Sequence, residues 1–391
     1  MASQIDQILS KYVSPTREGG SLSGIAFVVK GKGGKTLYSG SAGKLNFQPD
    51  SPPYTVDSVS WVASMTKLIT SVAALQIVDK GHIGLDDDVG SVIPYLKGLD
   101  ILEGFDENGQ PKISKQTIPV TLRTLLTHSS GFGYDLFDPD LGKWRESNKV
   151  EPNSLASWKM PLKFDPGKGW VYGVGIDWAG QIVEHFSGLS LEDYFQKNFF
   201  QPLGLKSSTF RIGEHKELAP QRAAIGGRGD PVAALVETQS MISDHPSVDS
   251  GGAGLHTTAA DYSTFLGALL DKDSRILKES TYDLLTQAQL ADSKHLAETL
   301  YGGFGPIMAP EFQIPKPSIN HSLVGLVNLD DVPGKRKANS VTWSGVTNPR
   351  WWIDPKAGVA ATLYTQILPP GDLVVSSLFD ELERAVYKDL V

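Results

Sequence analysis

The sequence predicts an α/β protein with two lobes, because strand-like and helix-like segments are unevenly distributed along its 391 residues. Strand-like segments lie near both ends, whereas helical periodicity dominates the middle. A chain of this length also exceeds the usual size of one compact domain. We expect residues 1–85 together with 300–391 to form a discontinuous α/β lobe, and residues 86–299 to form a mostly helical lobe.

The early elements follow from apolar periodicity and from turn residues. Apolar residues recur at helical spacing before residue 13 and again after Ser64, where Gly81 supplies a stop. Between these helices, two β-rich segments flank a turn of glycine and lysine residues, which is typical of a hairpin. The predicted elements of this part are a helix over 5–12, strands over 24–29 and 36–39, and a helix from Ser64 to Gly81.

The later elements follow the same signals. Thr121 is a candidate N-cap, and the segment 202–204, Pro-Leu-Gly, is a candidate helix end. Beyond Tyr301 the chain becomes rich in glycine and proline and then in β-branched and aromatic residues. The predicted elements are helices near 89–95, from 120 to 128, and over 180–200, 261–270, 280–289 and 378–390, with strands over 340–343, 350–353 and 359–366.

The composition limits the function classes. The formal net charge is −8 at pH 7, so the chain lacks the basic excess that neutralises nucleic-acid phosphates. It has no cysteine, which excludes thiol nucleophiles, disulfides and thiolate metal sites. Residues 1–13 lack the apolar core of a secretory signal, and no apolar run approaches the roughly 20 residues that span a bilayer. We expect a cytoplasmic enzyme or binding protein without nucleic-acid or membrane partners.

Ser64 and Lys67 stand three residues apart at the start of the second predicted helix. Residues i and i+3 share one helix face, so the Lys67 amine can reach the Ser64 hydroxyl. A serine needs such an adjacent base to act as a nucleophile and form a covalent acyl intermediate. The helix start also supplies free backbone N–H groups that favour an oxyanion. A core helix with Ser64 as a simple N-cap has the same spacing, so the context must decide.

A second Ser-x-x-Lys copy shows how weak this spacing is alone. Ser41 and Lys44 have it too, but Gly40 and Gly43 flank the serine. Glycine removes the helical geometry that would align the two side chains. We interpret this copy as a strand followed by a solvated turn.

Tyr172 is a candidate proton carrier for Ser64. It lies in the segment 165–173, whose proline and glycine residues predict a tight loop that can project a side chain into a cleft. Nearby lysines would lower the pKa of a tyrosine phenol and allow it to act as a general base. The alternative is that Tyr172 simply packs beside Trp170.

The last strand region is a candidate for the oxyanion hole. It reads Thr342-Trp343-Ser344-Gly345-Val346, in which glycine permits close approach of the backbone. We predict that the backbone N–H groups of Ser64 and Val346 form the hole. An edge strand with a bulge at Gly345 is the alternative.

Together these motifs resemble a known family. Their order and approximate spacing are those of the serine β-lactamase and penicillin-binding-protein superfamily. The motifs are Ser64-Met65-Thr66-Lys67, then Tyr172, then Trp343-Ser344-Gly345. The chain is most similar to its esterase and acyltransferase branch. Further similar segments lie at 101–106, 125–131, 170–173, 177–180 and 352–358.

The resemblance implies a β-lactamase/transpeptidase-like fold, with an antiparallel sheet flanked by helices and a mostly helical lobe. It implies Ser64 as the nucleophile, with Lys67 and Tyr172 as the base and proton relay. It also implies no cofactor and a fungal secondary-metabolite setting. The reaction would transfer an acyl group through an acyl-enzyme, as a transesterase or an esterase. The donor would be a small-molecule ester or thioester, including one bound to a carrier protein, and the acceptor water or an alcohol.

Two departures from the penicillin-recognising members restrict the substrate. Val174 stands where those members carry an asparagine, and Trp343 stands where they carry a lysine. A lysine there would pair with the carboxylate of a β-lactam or a peptide terminus, which tryptophan cannot do. The departures therefore disfavour drug resistance and cell-wall peptide cleavage, and they favour neutral or apolar acyl groups.

Several residues remain as candidates for substrate contact. They are Tyr134, Trp343, Ser344, Gly345 and Arg350, and strand alternation would send one of Trp351 and Trp352 toward the cleft. Core packing is the alternative for the aromatic residues. The scattered histidines show no metal-ligand spacing, and without a G-x-S-x-G turn His128 is better interpreted as a buried hydrogen-bonding residue. A non-catalytic binding or sensor protein on the same fold is the alternative function.

Overall fold

The structure, a computed structural model, describes residues 3–151, 154–230, 232–313 and 315–391. Six residues of the predicted lobes lie outside the described residues, namely 1, 2, 152, 153, 231 and 314.

An antiparallel seven-stranded sheet combines strands from the two ends of the chain. The described strands are β1 Gly24–Gly31, β2 Thr36–Gly43, β3 Ser60–Trp61, β4 Asp100–Phe105, β5 Pro111–Lys115, β6 Ile225–Gly227, β7 Val236–Thr238, β8 His256–Thr257, β9 Ile319–His321, β10 Leu326–Asn328, β11 Ser340–Ser344, β12 Arg350–Asp354, β13 Val359–Tyr364 and β14 Ile367–Leu368. The order of the large sheet is β2-β1-β13-β12-β11-β10-β9. Within it β1 pairs with β13, from Ala26 opposite Tyr364 to Gly31 opposite Val359.

Helices occupy the space between these strands and cover the sheet. In chain order they are α1 Gln4–Val13, α2 Thr66–Asp79, α3 Leu122–Leu126, α4 Pro139–Asn148, α5 Gly175–Ser187, α6 Leu191–Phe195, α7 Gln201–Leu203, α8 Ala259–Leu270, α9 Glu279–Tyr282, α10 Lys294–Tyr301, α11 Gly305–Met308 and α12 Leu373–Asp389. None of the described helices is both long enough and apolar enough to cross a membrane.

Both faces of the sheet are buried, because helices pack on each of them. Helices α1 and α12 cover one face, on which Phe27 and Trp352 are fully buried. The opposite face packs against a larger core that includes α2, α5 and α8. Side chains of successive strand residues therefore alternate between two apolar cores.

The helical segments differ in detail from those predicted. The single helix expected over 180–200 is interrupted, because α5 ends at Ser187, Gly188 follows with a left-handed φ of 68°, and Ser190 caps the new helix α6. Helix α8 packs on β1 and β13, although it lies within residues 86–299. The division into two lobes with the boundaries given above stays a prediction.

Candidate active site

Ser64 lies in a single 3-10 turn, Ala63–Met65, that leads directly into α2. Ala63 adopts a left-handed φ of 46°, a conformation that non-glycine residues rarely take and that clusters at functional sites. The turn is fixed from both sides. The Val62 N–H donates to the Leu255 carbonyl over 3.0 Å, and the Thr66 hydroxyl donates to the Ala63 carbonyl over 2.6 Å. The local backbone thus presents the Ser64 side chain at a defined point.

Lys67 lies one turn further along and is almost completely buried, at 2% exposure. Its Nζ donates to Ser64 Oγ over 3.2 Å, to the Tyr134 hydroxyl over 3.0 Å and to the Gly252 carbonyl over 2.7 Å. Three partners from three different segments surround Nζ, so the amine has one defined position. The structure therefore brings Ser64 and Lys67 together, as the spacing predicts.

Tyr172 approaches Ser64 from the loop that follows residue 165. Its hydroxyl donates to Ser64 Oγ over 2.6 Å. Its ring lies 4.8 Å from Lys67 Nζ, a distance at which the cation is attracted to the aromatic face. The loop backbone is held by the Val171 N–H, which donates to the His128 carbonyl, and by the Tyr172 carbonyl, which accepts from Tyr134 N–H. Ser64 Oγ is thus hydrogen-bonded to two potential proton carriers.

Tyr134 and Asp177 extend this hydrogen-bond network beyond Ser64, Lys67 and Tyr172, the residues predicted to be catalytic. Tyr134 was expected to line the substrate site, and the structure adds its contact with Lys67 Nζ. Burial, together with the negative charge of Asp177, holds the pKa of Tyr134 well above its usual value. Asp177 is 2% exposed, and its burial raises the pKa of the carboxyl group. Both side chains come from segments distant in sequence, so spacing gave no signal for their proximity to Lys67.

The end of β11 lies close against the start of the turn Ala63–Met65, which we call the nucleophile turn. A Cβ at Gly345 would lie 2.4 Å from the Val62 carbonyl oxygen, so any side chain there would force the two segments apart. Val346, the next residue, lines the same cavity as Ser64. Ser344 donates from Oγ to the Met308 carbonyl over 3.1 Å, which ties the strand end to α11.

A cavity of about 200 Å³ opens above Ser64. Among the described residues that line it, none carries a formal charge. The hydroxyl groups of this described lining are those of Ser64, Tyr134, Tyr172 and Ser344. Most of the wall is apolar and includes Trp61, Ala63, Leu136, Phe137, Ile242, Ala253, Ile307, Met308, Trp343 and Val346. Such a site favours an uncharged ligand with a substantial apolar part.

The expectation that Arg350 contacts substrate is wrong. Arg350 is fully buried, its guanidinium donates to Glu311 Oε2 over 3.1 Å, and it is not among the described residues that line the cavity at Ser64. The expectation for the following tryptophans also needs correction. Trp351 and Trp352 are both fully buried, one in each core, because helices cover both faces of the sheet.

A group of buried rings lies behind Tyr172 and Trp343. His128 packs edge-on against Tyr172 at 4.9 Å between ring centroids and stacks on Trp343 at 5.9 Å. His321 contacts the same tryptophan at 5.6 Å. Burial lowers the pKa of His321 to about 4, and burial also lowers that of His128 well below its usual value. Both imidazoles are thus neutral at physiological pH.

Acid is expected to destabilise the protein through these histidines. An unfolded His321 binds a proton near pH 6.5, whereas the folded one does so only at about pH 4. Between these values the unfolded state binds more protons, so the free energy of unfolding falls as pH falls. His321 alone contributes about 3 kcal/mol to this loss. Urea unfolding across this pH range measures it, and His321→Gln should flatten the dependence, whereas the exposed His295→Gln should not. An unchanged slope in His321→Gln would contradict the assignment.

The Beta-lactamase family model matches residues 9–381 of the chain. The chain belongs to the beta-lactamase family. It is 33% identical to a lovastatin esterase of Penicillium rubens over 358 residues, which cover 88% of this chain and 87% of the relative. It is 32% identical to the monacolin J acid methylbutanoyltransferase of Aspergillus terreus, over 86% of this chain and 83% of the relative.

A solved structure supports the same assignment for this beta-lactamase-family chain. The chain superposes with a TM-score of 0.90 on the solved structure of the simvastatin synthase LovD from Aspergillus terreus, at 29% identity. The match covers 100% of this chain and 99% of LovD. The predicted β-lactamase-like fold is therefore confirmed. The chain is an enzyme of the esterase and acyltransferase branch, as its motifs predicted, and a serine acyl-enzyme is typical of this beta-lactamase family.

Proposed function

We propose that this enzyme transfers an uncharged acyl group from an ester or thioester to Ser64, and from there to an alcohol or to water. The observation that carries the proposal is the position of Ser64 Oγ. It lies 3.2 Å from Lys67 Nζ and 2.6 Å from the Tyr172 hydroxyl, and it faces a cavity whose described lining residues carry no formal charge. A serine with adjacent proton carriers is the requirement for covalent acyl transfer.

In the proposed acylation step, Ser64 Oγ attacks the carbonyl carbon of the donor and loses its proton to Lys67 and Tyr172. Both groups contact Ser64 Oγ, so together they form one pair that can take up its proton. The tetrahedral intermediate then collapses, and the bond to the leaving alcohol or thiol breaks. The leaving group takes the proton that the pair received from Ser64. In deacylation the oxygen of the acceptor alcohol or water attacks the acyl-enzyme carbonyl carbon and gives its proton to the pair. The bond between the acyl group and Ser64 Oγ then breaks, and Oγ takes the proton back from the pair.

We assign the oxyanion hole to the backbone N–H groups of Ser64 and Val346. Ser64 is in the first turn of a helical segment, where N–H groups lack a helical acceptor. The absence of a side chain at Gly345 allows the β11 end to approach this turn, and Val346 follows directly. Two backbone donors from these two segments would stabilise the developing negative charge without reorganisation.

The lining of the cavity supports the substrate class. An apolar wall with tryptophan, phenylalanine and methionine residues favours an aliphatic acyl group or an apolar alcohol, and it gives no counter-ion to a carboxylate. The relatives named above act as an esterase on lovastatin and as a methylbutanoyltransferase. We therefore propose small-molecule esters of secondary metabolism as substrates, with a thioester on a carrier protein as one form of the donor.

Intact-protein mass spectrometry tests this proposal. Two matched aryl esters, one with a butanoyl group and one with a succinyl group, differ in a terminal carboxylate. We expect the butanoyl ester to acylate the protein at least about tenfold faster, because the cavity offers no partner for the carboxylate. A butanoyl thioester should give the same adduct. Equal rates for the two esters would contradict the assigned substrate class.

The fate of the adduct distinguishes the two acceptors. Faster loss with one apolar alcohol than in buffer alone, with appearance of the new ester, indicates a transferase. Loss at one rate, with or without alcohols, indicates an esterase. A stable adduct without turnover would instead support the binding or sensor alternative on this fold.

A further inference from the structure

Lys67 is held in place by a segment that comes from elsewhere in the chain. We call residues 250–255 the clamp segment. Three successive carbonyls of this segment accept hydrogen bonds from side chains of α2 and β3. Gly251 accepts from the Thr70 hydroxyl over 2.7 Å, Gly252 accepts from Lys67 Nζ over 2.7 Å, and Ala253 accepts from Trp61 Nε1 over 2.6 Å. The position of Lys67 therefore depends on the position of this segment.

Asp177 in turn fixes the clamp segment. Its carboxylate accepts from the Ser250 hydroxyl over 2.6 Å and from the Gly252 N–H over 2.9 Å. The contact with Gly252 is so close that a Cβ at this position would lie 2.3 Å from Asp177 Oδ2. The same residue, Gly252, thus donates to Asp177 through its N–H and accepts from Lys67 through its carbonyl.

Asp177 also interacts electrostatically with Lys67. Both side chains are 2% exposed, so their interaction is weakly screened by solvent. The groups that face them are the Tyr134 hydroxyl, the Tyr172 hydroxyl and the neutral His128. Burial raises the pKa of Asp177. The charge of Lys67 and the hydrogen bonds from the Ser250 hydroxyl and the Gly252 N–H favour its ionised form.

We propose that Asp177 is a positioning residue for the acyl-transfer reaction: through Gly252 it places Lys67 against Ser64, and its buried negative charge sets the pH range in which acylation proceeds. The inference rests on the proposed function, because it assigns Asp177 a role only if Lys67 acts on Ser64. Asp177 itself touches neither the cavity nor the reacting atoms.

Asp177→Asn separates this role from a purely structural one. The substitution keeps the size of the side chain and removes its charge. A buried negative charge favours the protonated form of any base beside it, so its removal should move the acid limb of the acylation rate to lower pH by about one unit. On the plateau the rate should fall about tenfold, because the Gly252 carbonyl is less well fixed. The release of the aryl leaving group in the first turnover, measured from about pH 5 to about pH 10, reports both quantities.

Two matched variants complete the experiment. Ser250→Ala removes one hydrogen bond to Asp177 but keeps the charge, so the rate should fall by about threefold while the acid limb stays in place. Glu107→Gln removes a charge at an exposed position and should change neither quantity. If Asp177→Asn fails to fold, Ser250→Ala still tests the positioning role, and a wild-type acylation rate in that variant overturns it.

The outcomes separate this inference from the proposed function. An Asp177→Asn enzyme that is acylated with an unshifted acid limb overturns the role of Asp177 and leaves the proposed function standing. Absence of any acyl-enzyme in the unmodified protein overturns both. A shifted limb together with a reduced plateau in Asp177→Asn, and in no other variant, supports the inference.

Discussion

Replacing Ser64 with alanine is expected to lower the rate of acylation by at least about 10⁴-fold and to leave no acyl adduct on the intact protein. The hydroxyl that forms the covalent bond is then absent, and the remaining groups cannot replace it. The fold should persist, because Ser64 is half-buried beside the cavity and its backbone remains in place. Mass spectrometry after mixing with a butanoyl aryl ester measures the adduct, and thermal unfolding checks the fold.

The chain supplies its own control for this experiment. Ser41 and Lys44 repeat the Ser-x-x-Lys spacing, but Ser41 lies in strand β2, where the two side chains do not share a helix face. Ser41→Ala should therefore be acylated at the wild-type rate. An adduct that persists in Ser64→Ala, or that disappears in Ser41→Ala, would contradict the assignment of the nucleophile.

Lys67→Ala and Tyr172→Phe are each expected to reduce acylation by about 10²- to 10⁴-fold, because each removes a group that receives the serine proton. Both groups contact Ser64 Oγ, so their effects should not be additive. The double variant should be little slower than the slower single variant. Rates of the first turnover of an aryl ester, measured with saturating donor, provide the comparison.

Matched substitutions of the same chemical type control for stability. Lys44→Ala removes a lysine from the inactive copy of the motif, and Tyr95→Phe removes a phenol hydroxyl that lies away from Ser64. Neither should change the rate more than about twofold. Near-normal turnover in Lys67→Ala or in Tyr172→Phe would remove that residue from the proposed mechanism.

The sequence predicted the strands at both ends of the chain and the proximity of Ser64, Lys67 and Tyr172. These two predictions depended on different kinds of signal. Strand and helix signals are local, and the spacing of Ser64 and Lys67 is a property of one helical turn. The proximity of Tyr172 depends on tertiary structure and was accessible only through the order of motifs in a known family. The contact of Lys67 with Gly252 carries no local signal, since the two residues are joined only by packing.

Arg350 shows why a charged residue near a predicted site can be misassigned. Alternation along a strand predicts two faces but does not reveal what covers each of them. Here the Arg350 side chain is buried against Glu311, from a turn that precedes the strand by 39 residues. A buried ion pair of this kind needs both partners, and the sequence gives no pairing rule for distant charges.

The pairing of β1 with β13 has a consequence for how the protein is made. Almost the whole chain separates these two strands, so a ribosome releases β1 long before its partner exists. Until then the nascent chain exposes an apolar strand with an unpaired edge, which is prone to aggregation. Any product that stops short of residue 359 retains this open edge permanently. Synthesis in a foreign host should accordingly depend on chaperone capacity and on full-length translation.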